Sequence, residues 1–357
     1  MSTLSNRPPF SITTASGKYS VIIGSNLVEQ EIKTGLIHTI VTDERFAEQF
    51  KDSLVIPIKI AEENKNLATI EEVVVGLRAS GVRREDHVLV VGGGIAQDIG
   101  TLACSLFMRG VKWHYAPTTL MAMTDSCIGG KSSINVRHLK NLIGNIYPPE
   151  KVVIDTRYIQ TLDKQALVSG LAEAAKICFC RGPEYFTKFL QVAPSRPEQS
   201  DEYSTVIDLS LKAKRWFIEI DEFDLAERKQ LNFGHTFGHA LETATDFKVP
   251  HGVAIGIGMI AACQYAGKSD EADRLCEYLI ALLSSVNNLD NLIAAVDWEK
   301  FKNAFNSDKK HGHGYYRLIL PKKGGVALID IPMNSREFDK AEIAMRRAVE
   351  RCIGESS

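Results

Sequence analysis

The sequence predicts an α/β half built on a mostly parallel sheet, followed by a mainly α-helical half. Three observations carry this. Between about residues 19 and 116, short apolar runs of strand length alternate with stretches of helical periodicity, the pattern of an open α/β sheet. From about Leu162 onward helical spacing takes over, with long apolar stripes over 253–283. A chain of 357 residues exceeds what one core usually serves, so two domains are expected, residues 1–158 and 159–357. Nothing around residues 155–161 has the composition of a flexible linker.

The elements follow in order. Tyr19-Ser20-Val21-Ile22-Ile23, His38-Thr39-Ile40-Val41-Thr42 and Ser53-Leu54-Val55-Ile56-Pro57-Ile58 read as strands. Residues 67–80 have helical spacing, with Ile70, Val73, Val74 and Leu77 on one face. His87-Val88-Leu89-Val90-Val91 is a continuous apolar run, as in a strand buried on both faces. Gly92-Gly93-Gly94 ends it, a helix is expected over 95–107, and a strand over 111–116. In the second half, short strands return only at Arg317-Leu318-Ile319-Leu320 and Val326-Ala327-Leu328-Ile329. There is no internal repeat. The junction of the two halves is where chemistry is expected.

Bulk properties exclude several classes. A net charge of −2 leaves no footprint for nucleic acid or an anionic membrane. No apolar run approaches the roughly 18–20 residues of a membrane span. The opening Met1-Ser2-Thr3-Leu4-Ser5-Asn6-Arg7-Pro8-Pro9 lacks the apolar core of a signal peptide. The cysteines number seven and are scattered; Cys178 and Cys180 fall inside a helical pattern. Reduced, buried thiols in a reducing cytoplasm are expected.

The most informative stretch is Leu231-Asn232-Phe233-Gly234-His235-Thr236-Phe237-Gly238-His239-Ala240, followed by Pro250-His251-Gly252. Histidines four apart share a helix face. A third opens the next segment. Upstream, Leu171-Ala172-Glu173-Ala174-Ala175-Lys176 sets a carboxylate and an amine three apart. One Glu and two His from separate elements are the ligand set of an open, catalytic zinc-type site; a structural site would more often use paired cysteines.

In the first half, the glycines after Val91 open a strand-to-helix turn where backbone N–H groups can approach a pyrophosphate at a helix N-terminus. The turn does not match G-x-G-x-x-G. Asp43, just past an apolar strand, stands where a carboxylate could hold a ribose hydroxyl, although a simple turn role competes. Pro117-Thr118-Thr119-Leu120-Met121-Ala122-Met123-Thr124-Asp125 leads into Gly129-Gly130-Lys131, Asn135 and Lys140-Asn141. Lysines at this spacing can clamp a phosphate or carboxylate; the alternative is a solvated basic loop. Asp308-Lys309-Lys310-His311-Gly312-His313-Gly314 adds cations, and a glycine-rich turn with exposed histidines is expected there.

Together these motifs resemble the 3-dehydroquinate synthase family of sugar-phosphate cyclases over roughly residues 20–330. The shared features fall in the same order: Gly92-Gly93-Gly94 with Asp98, Met108-Arg109-Gly110, Pro117-Thr118-Thr119-Leu120, Asp125 with Gly129-Gly130-Lys131, Lys140-Asn141, Glu173 with Lys176, Asp221-Glu222, Arg228 with Asn232, and the 234–240 run. The resemblance implies an NAD-binding α/β domain and a helical domain carrying a divalent metal, zinc or cobalt. It implies Glu173, His235 and His251 as metal ligands, with His239 handling substrate. Asp98, Thr118, Thr119, Asp125, Lys131 and Lys140 would line the nicotinamide side, with Gly92, Gly93, Gly94 and Thr156 also on the cofactor. Asp43, Glu62 and Lys65 would meet the adenosine end, although Ala61 replaces the glycine usual before that glutamate. Asn141, Lys176 and Lys310 would contact substrate. Lys214, Arg228 and Asn232 would hold its carboxylate, and Arg109 a phosphate across a homodimer interface. The implied reaction is alcohol oxidation, phosphate elimination, reduction, ring opening and intramolecular aldol closure, with NAD regenerated in each turnover.

Arg228 and Asn232 are four apart and His235 and His239 continue along the same helical side, which is expected to point a guanidinium, an amide and two imidazoles toward one pocket. The survival of Lys214, Arg228 and Asn232 favours a carboxylated substrate, 3-deoxy-D-arabino-heptulosonate 7-phosphate. The family's valiolone-type relatives close sedoheptulose 7-phosphate and tend to lose the second glycine before the lysine. Departures from the housekeeping pattern point towards a specialised paralogue: Gln97 for a glycine, Val253 for a glutamate, Ser132-Ser133 for Thr-Gly or Thr-Ala, and a short stretch between Lys176 and Lys214. Two other readings compete: a metal-dependent NAD alcohol dehydrogenase of the glycerol dehydrogenase type, and a catalytically silent relative.

Overall fold

The computed structural model describes residues 7–137, 139–194 and 203–354. Residues 1–6 of the opening read above, and part of the short stretch between Lys176 and Lys214, lie outside them. The chain divides into two compact units, Met1–Leu162 with Arg215–Phe223, and Asp163–Lys214 with Asp224–Ser357.

The first unit contains β1 (Phe10–Thr14), β2 (Gly17–Gly24), α1 (Leu27–Lys33), β3 (Ile37–Asp43), β4 (Val55–Ile58), α2 (Leu67–Ala79), β5 (His87–Gly92), α3 (Gly94–Leu106), β6 (Lys112–Pro117), β7 (Lys131–Val136), β8 (Leu139–Ile146) and β9 (Lys151–Asp155). Seven strands form one sheet in the order β1-β2-β9-β6-β5-β3-β4. Neighbours are parallel except for the β1–β2 hairpin. Every residue of β5 is buried, which is why it reads as an unbroken apolar run. On α2, Ile70, Val73 and Leu77 face the core as their spacing predicts, while Val74 is only half-buried. The chain steps from β3 outward to β4, then returns and steps the other way from β5 to β6. This reversal lies between β3 and β5, where open α/β sheets take ligands at the carboxyl ends of their strands.

The stretch carrying Lys131 and Lys140 is not a loop. It forms the antiparallel β7–β8 ribbon, with Ser132, Ile134 and Asn135 buried and Lys131 exposed. Its polar composition hides the strand alternation.

The second unit contains α4 (Lys164–Arg181), α5 (Pro183–Val192), α6 (Tyr203–Ile220, of which the part up to Lys214 belongs here), α7 (His235–Ala244), α8 (His251–Ala266), α9 (Asp270–Leu283), α10 (Leu289–Ala294), α11 (Trp298–Asn306), the β10 (Tyr315–Lys322) and β11 (Gly325–Pro332) hairpin, and α12 (Ser335–Gly354). The stripe over 253–283 is two helices. Gly267 ends α8, and the Ser269 hydroxyl accepts from Ala272 N at 3.2 Å to start α9. Nearly all of α8 is buried, packed against α4, α7, α9, α12 and β10. All seven cysteines are free and buried. Among the described residues no helix is long and apolar enough to cross a membrane.

Candidate active site

Three helices of the second unit bring the candidate ligands together. Glu173 lies on α4, His235 opens α7 and His251 opens α8. Gly252 lets α8 approach α4: a Cβ there would sit 2.5 Å from Ser169 Cα. That contact sets His251 Nε2 3.7 Å from Glu173 Oε1. The rings of His235 and His251 lie 5.5 Å apart, and those of His235 and His239 5.2 Å. Donor atoms of His235, His239 and His251 all fall within 4.8 Å of one another. Lys176 Nζ donates to Glu173 Oε2, but Glu173 Oε1 is buried without a hydrogen-bond partner. An unsatisfied buried carboxylate oxygen is costly; a cation beside His251 would satisfy it.

The nitrogens distinguish the histidines. His235 Nδ1 lies 3.2 Å from Phe233 O, and His251 Nδ1 lies 3.2 Å from Glu242 Oε1. With Nδ1–H donated in each case, Nε2 keeps its lone pair for a ligand. His239 is more exposed and only approaches Glu242, at 4.0 Å from Oε2. Burial, then nearby Lys176, His239 and His251, hold His235 well below the usual histidine range. Burial, then Lys310, brings His239 down to about 4. Burial presses the His251 pKa down as well, but the Glu242 hydrogen bond and the Glu173 charge outweigh it and raise it. A place whose carboxylates favour a proton favours a divalent cation too, and this donor set fits one.

One sequence expectation needs correction. Arg228, Asn232, His235 and His239 were expected along one helical side. They are split between a 3₁₀ turn, Glu227–Asn232, and α7. Gly234 breaks the helix at φ 78°, and a Cβ there would lie 2.6 Å from Met259 Cγ on α8. Asn232 donates to Lys229 O at 3.1 Å. Lys214 and Arg228 are both buried. A cavity of about 630 Å³ is lined by Asn232, Thr236, His239, Asp308 and Lys310, among others. Burial lowers the pKa of Lys310, although its ammonium lies 3.4 Å from Asp308. His311, expected exposed, is half-buried: Nε2 meets Phe305 O at 2.9 Å and Nδ1 accepts from Arg317 N at 3.0 Å. Its ring knits the turn to β10. His313 is exposed.

In the first unit, the candidate cofactor residues gather at the carboxyl ends of the strands. Gly93 precedes α3, which has no side-chain cap, so its first-turn amides suit an anion. A Cβ on Gly93 would sit 2.8 Å from Thr119 Cγ2, so this turn admits only glycine's bulk. Thr118 N donates to Gly92 O at 3.0 Å, and Thr156 Oγ1 donates to Gly24 O at 3.1 Å. Asp125 lies half-buried in a π-helical turn. Asp43 ends β3, as expected, but accepts from Arg45 N at 3.0 Å and from the Arg45 guanidinium at 2.9 and 2.5 Å. Lys65 pairs with Asp98 at 2.6 Å and donates to Asn141 at 2.8 Å. Asn135 donates to Glu62 at 2.9 Å. Glu62 and Lys65 from one turn, Asp98 from α3 and Asn141 from β8 thus share one network, with Asn135 joining Glu62 to Asn141. Burial raises Asp98 despite the Lys65 charge. A cavity of about 520 Å³ is lined by Glu62, Asn66, Asn135 and Lys140, among others. Lys131 and Arg109 are exposed; Arg109 adopts a left-handed φ of 66°.

Sequence reasoning missed Glu242, Arg45 and Ser126. Glu242 had a signal: positions 235, 239 and 242 lie on one face of α7. Gln97 donates to Ser126 O at 2.7 Å and accepts from its hydroxyl at 2.7 Å, so the residue that replaces glycine is pinned beside the turn.

Taken each by itself, the helical donor set of the second unit is of the kind found in metal-using enzymes, and the strand-end edge of the first of the kind found in nucleotide-using ones. The 3-dehydroquinate synthase N-terminal family model matches residues 55–169, and the C-terminal model residues 170–311. The chain belongs to the 3-dehydroquinate synthase family, as its motifs suggest. It is 31% identical over 342 residues to the 3-dehydroquinate synthase of Clostridium tetani, covering 91% of each chain. Among solved structures it is similar to the 2-epi-5-epi-valiolone synthase of Streptomyces hygroscopicus subsp. jinggangensis, which has NAD+ and Zn2+ bound. Identity there is 25% with TM-score 0.78, covering 92% of this chain and 97% of that one. It shares its fold with a 2-deoxy-scyllo-inosose synthase complexed with carbaglucose-6-phosphate, NAD+ and Co2+, at 22% identity and TM-score 0.82, covering 95% and 99%.

Proposed function

We propose that the chain is an NAD- and divalent-metal-dependent cyclase, a carbon–oxygen lyase that eliminates phosphate from a heptulosonate 7-phosphate and closes a carbocycle by intramolecular aldol addition. The observation that carries this is the donor set: buried Glu173 with an unpartnered oxygen, beside His235 and His251 whose Nδ1 atoms are already engaged. Glu173, His235 and His251 would hold the metal, and the Gly92–Gly94 turn with Asp43, Glu62, Lys65, Asp98, Thr118, Thr119, Asp125, Lys140 and Thr156 would hold NAD. When bound, NAD supplies a reversible hydride acceptor and the metal a Lewis acid for alcohol and carbonyl oxygens. His239, neutral at pH 7 with its pKa near 4, takes a proton from a substrate hydroxyl. Lys131, Lys176 and Lys310 neutralise developing anionic charge, and Arg109 meets phosphate across a homodimer interface.

For the substrate, buried Lys214 and Arg228 with Asn232 support a carboxylate, and so 3-deoxy-D-arabino-heptulosonate 7-phosphate. Arginine's planar fork suits that group. Phosphate release is measured with this substrate and with sedoheptulose 7-phosphate, for the wild type and Arg228→Ala. The carboxylated sugar is preferred by the wild type and selectively lost in the variant; faster turnover of sedoheptulose 7-phosphate, or indifference to Arg228→Ala, sinks the assignment. Stoichiometric NADH release would replace the cyclase with a dehydrogenase. A second reading, closure of an uncarboxylated sugar phosphate, draws on the likeness to the valiolone synthase and on Gln97 and Val253.

A further inference from the structure

The amino-terminal edge of the first unit's sheet, opposite the strand ends described above, holds a second group of metal-competent side chains. His87 begins β5 and pairs with Lys112, while Leu89, two residues on, pairs with His114 on β6. Residues two apart in a strand share a face, so the two imidazoles stand side by side with ring centres 5.2 Å apart. Glu150 precedes β9 and is tied to the same corner by its N–H, which donates to Trp113 O at 2.9 Å. His87, His114 and Glu150 each offer a donor atom within 4.8 Å of the others.

The surroundings orient them. His114 Nδ1 lies 2.9 Å from Glu31 Oε1 on α1, and Lys151 Nζ lies 2.6 Å from Glu31 Oε2. Burial pushes the Glu31 carboxyl up, but the hydrogen bonds from His114 and Lys151 outweigh it and bring it down to about 2. The Glu31 carboxylate accepts a hydrogen bond from His114 Nδ1–H and leaves Nε2 with its lone pair as the donor atom, the carboxylate–histidine arrangement behind many metal ligands. His87 Nε2 lies 2.8 Å from Glu150 Oε2, and Lys112 Nζ is 3.3 Å from Glu150 Oε1. Both histidines are buried, whereas the Glu150 side chain is 46% exposed, which gives an ion a path from solvent.

We propose that His87, His114 and Glu150 form a second binding site for a borderline divalent cation of the zinc, cobalt, nickel or copper class. Two imidazoles and one carboxylate suit these ions and leave a fourth position for water. Binding replaces the His87–Glu150 hydrogen bond, and any proton on His87 Nε2 leaves for solvent.

The full chain, stripped with chelator, is reloaded with excess Zn2+, desalted and assayed for bound metal. Wild type retains about two equivalents, and Glu150→Gln and His87→Gln about one each. Glu150→Gln keeps cyclase turnover, because it lies outside the proposed catalytic machinery. His235→Ala retains the metal that Glu150→Gln loses, so failure of the helical site and failure of this one are read separately. Metal content in Glu150→Gln and His87→Gln equal to wild type overturns the proposal and leaves the cluster a hydrogen-bonded brace. Should His87→Gln not fold, Glu150→Gln at its half-exposed position decides alone.

Discussion

In the second unit the candidate ligands ride on helices whose spacing is set by packing; in the first, the candidate cofactor residues sit on strand ends, turns and a ribbon tied to one another by hydrogen bonds. Gly252 against Ser169 fixes Glu173 and His251 through backbone contact. Lys65, Asp98, Asn135 and Asn141 instead hold each other through side chains. A packed donor set suits an ion that needs distances within a few tenths of an ångström, while a hydrogen-bonded edge can exchange internal partners for those of an extended ligand.

The contrast breaks most visibly at His235. His235→Ala is expected to lose its metal and nearly all activity, whereas His239→Ala keeps the metal and loses roughly 10²–10⁴-fold in rate, the usual worth of a positioned acid or base. Metal analysis beside initial rates checks this, and equal metal loss in both variants abolishes the split between the histidines. Next in size, Glu31→Gln removes the buried partner of His114 and Lys151 and should destabilise by about 3 kcal/mol in denaturant titrations near pH 7. The Glu31 carboxyl is depressed from 4.5 to about 2, so its contribution is present above pH 4.5 and fades as pH falls through about 2. The gap between wild type and variant should therefore close over that window; a gap unchanged down to pH 2 would show that the ion pair is not its source. Glu242→Gln weakens the hold on His251 Nδ1 and is expected to cost about 10–100-fold in metal affinity, read by competition with a chelating dye. Smallest is Gly93→Ala: its Cβ presses on Thr119, so NAD affinity should fall about tenfold, or 1.4 kcal/mol, in calorimetry while metal content holds. Loss of metal in Gly93→Ala would erase the distinction drawn here.

The same difference decides what the sequence made legible. Apolar runs at 38–42, 87–91 and 111–116 marked the central strands because they are buried on both faces. The histidine spacing of α7 and the Pro-His-Gly start of α8 marked the ligands, because one helix turn fixes what faces what. The β7–β8 ribbon stayed hidden: its inward residues include Ser132 and Asn135, and Leu139 and Leu142 are exposed, so alternation of polarity does not track burial. The helix imagined through Arg228 and His239 failed at Gly234, whose backbone fits against α8 in a way no local pattern records. Asp43 was found at its strand end, but its capture by Arg45 depends on a side chain two residues on, in a 3₁₀ turn.

The burial of α8 has a kinetic meaning. A helix enclosed by four others and a strand cannot expose its amides by local fraying, so its central N–H groups should exchange with deuterium only when the whole unit opens. His251 sits at the one end that a bound ion would reach. Slowed exchange confined to the first turn of α8 would then report occupancy of the site, while the middle of the helix serves as an internal clock for global unfolding in the same sample.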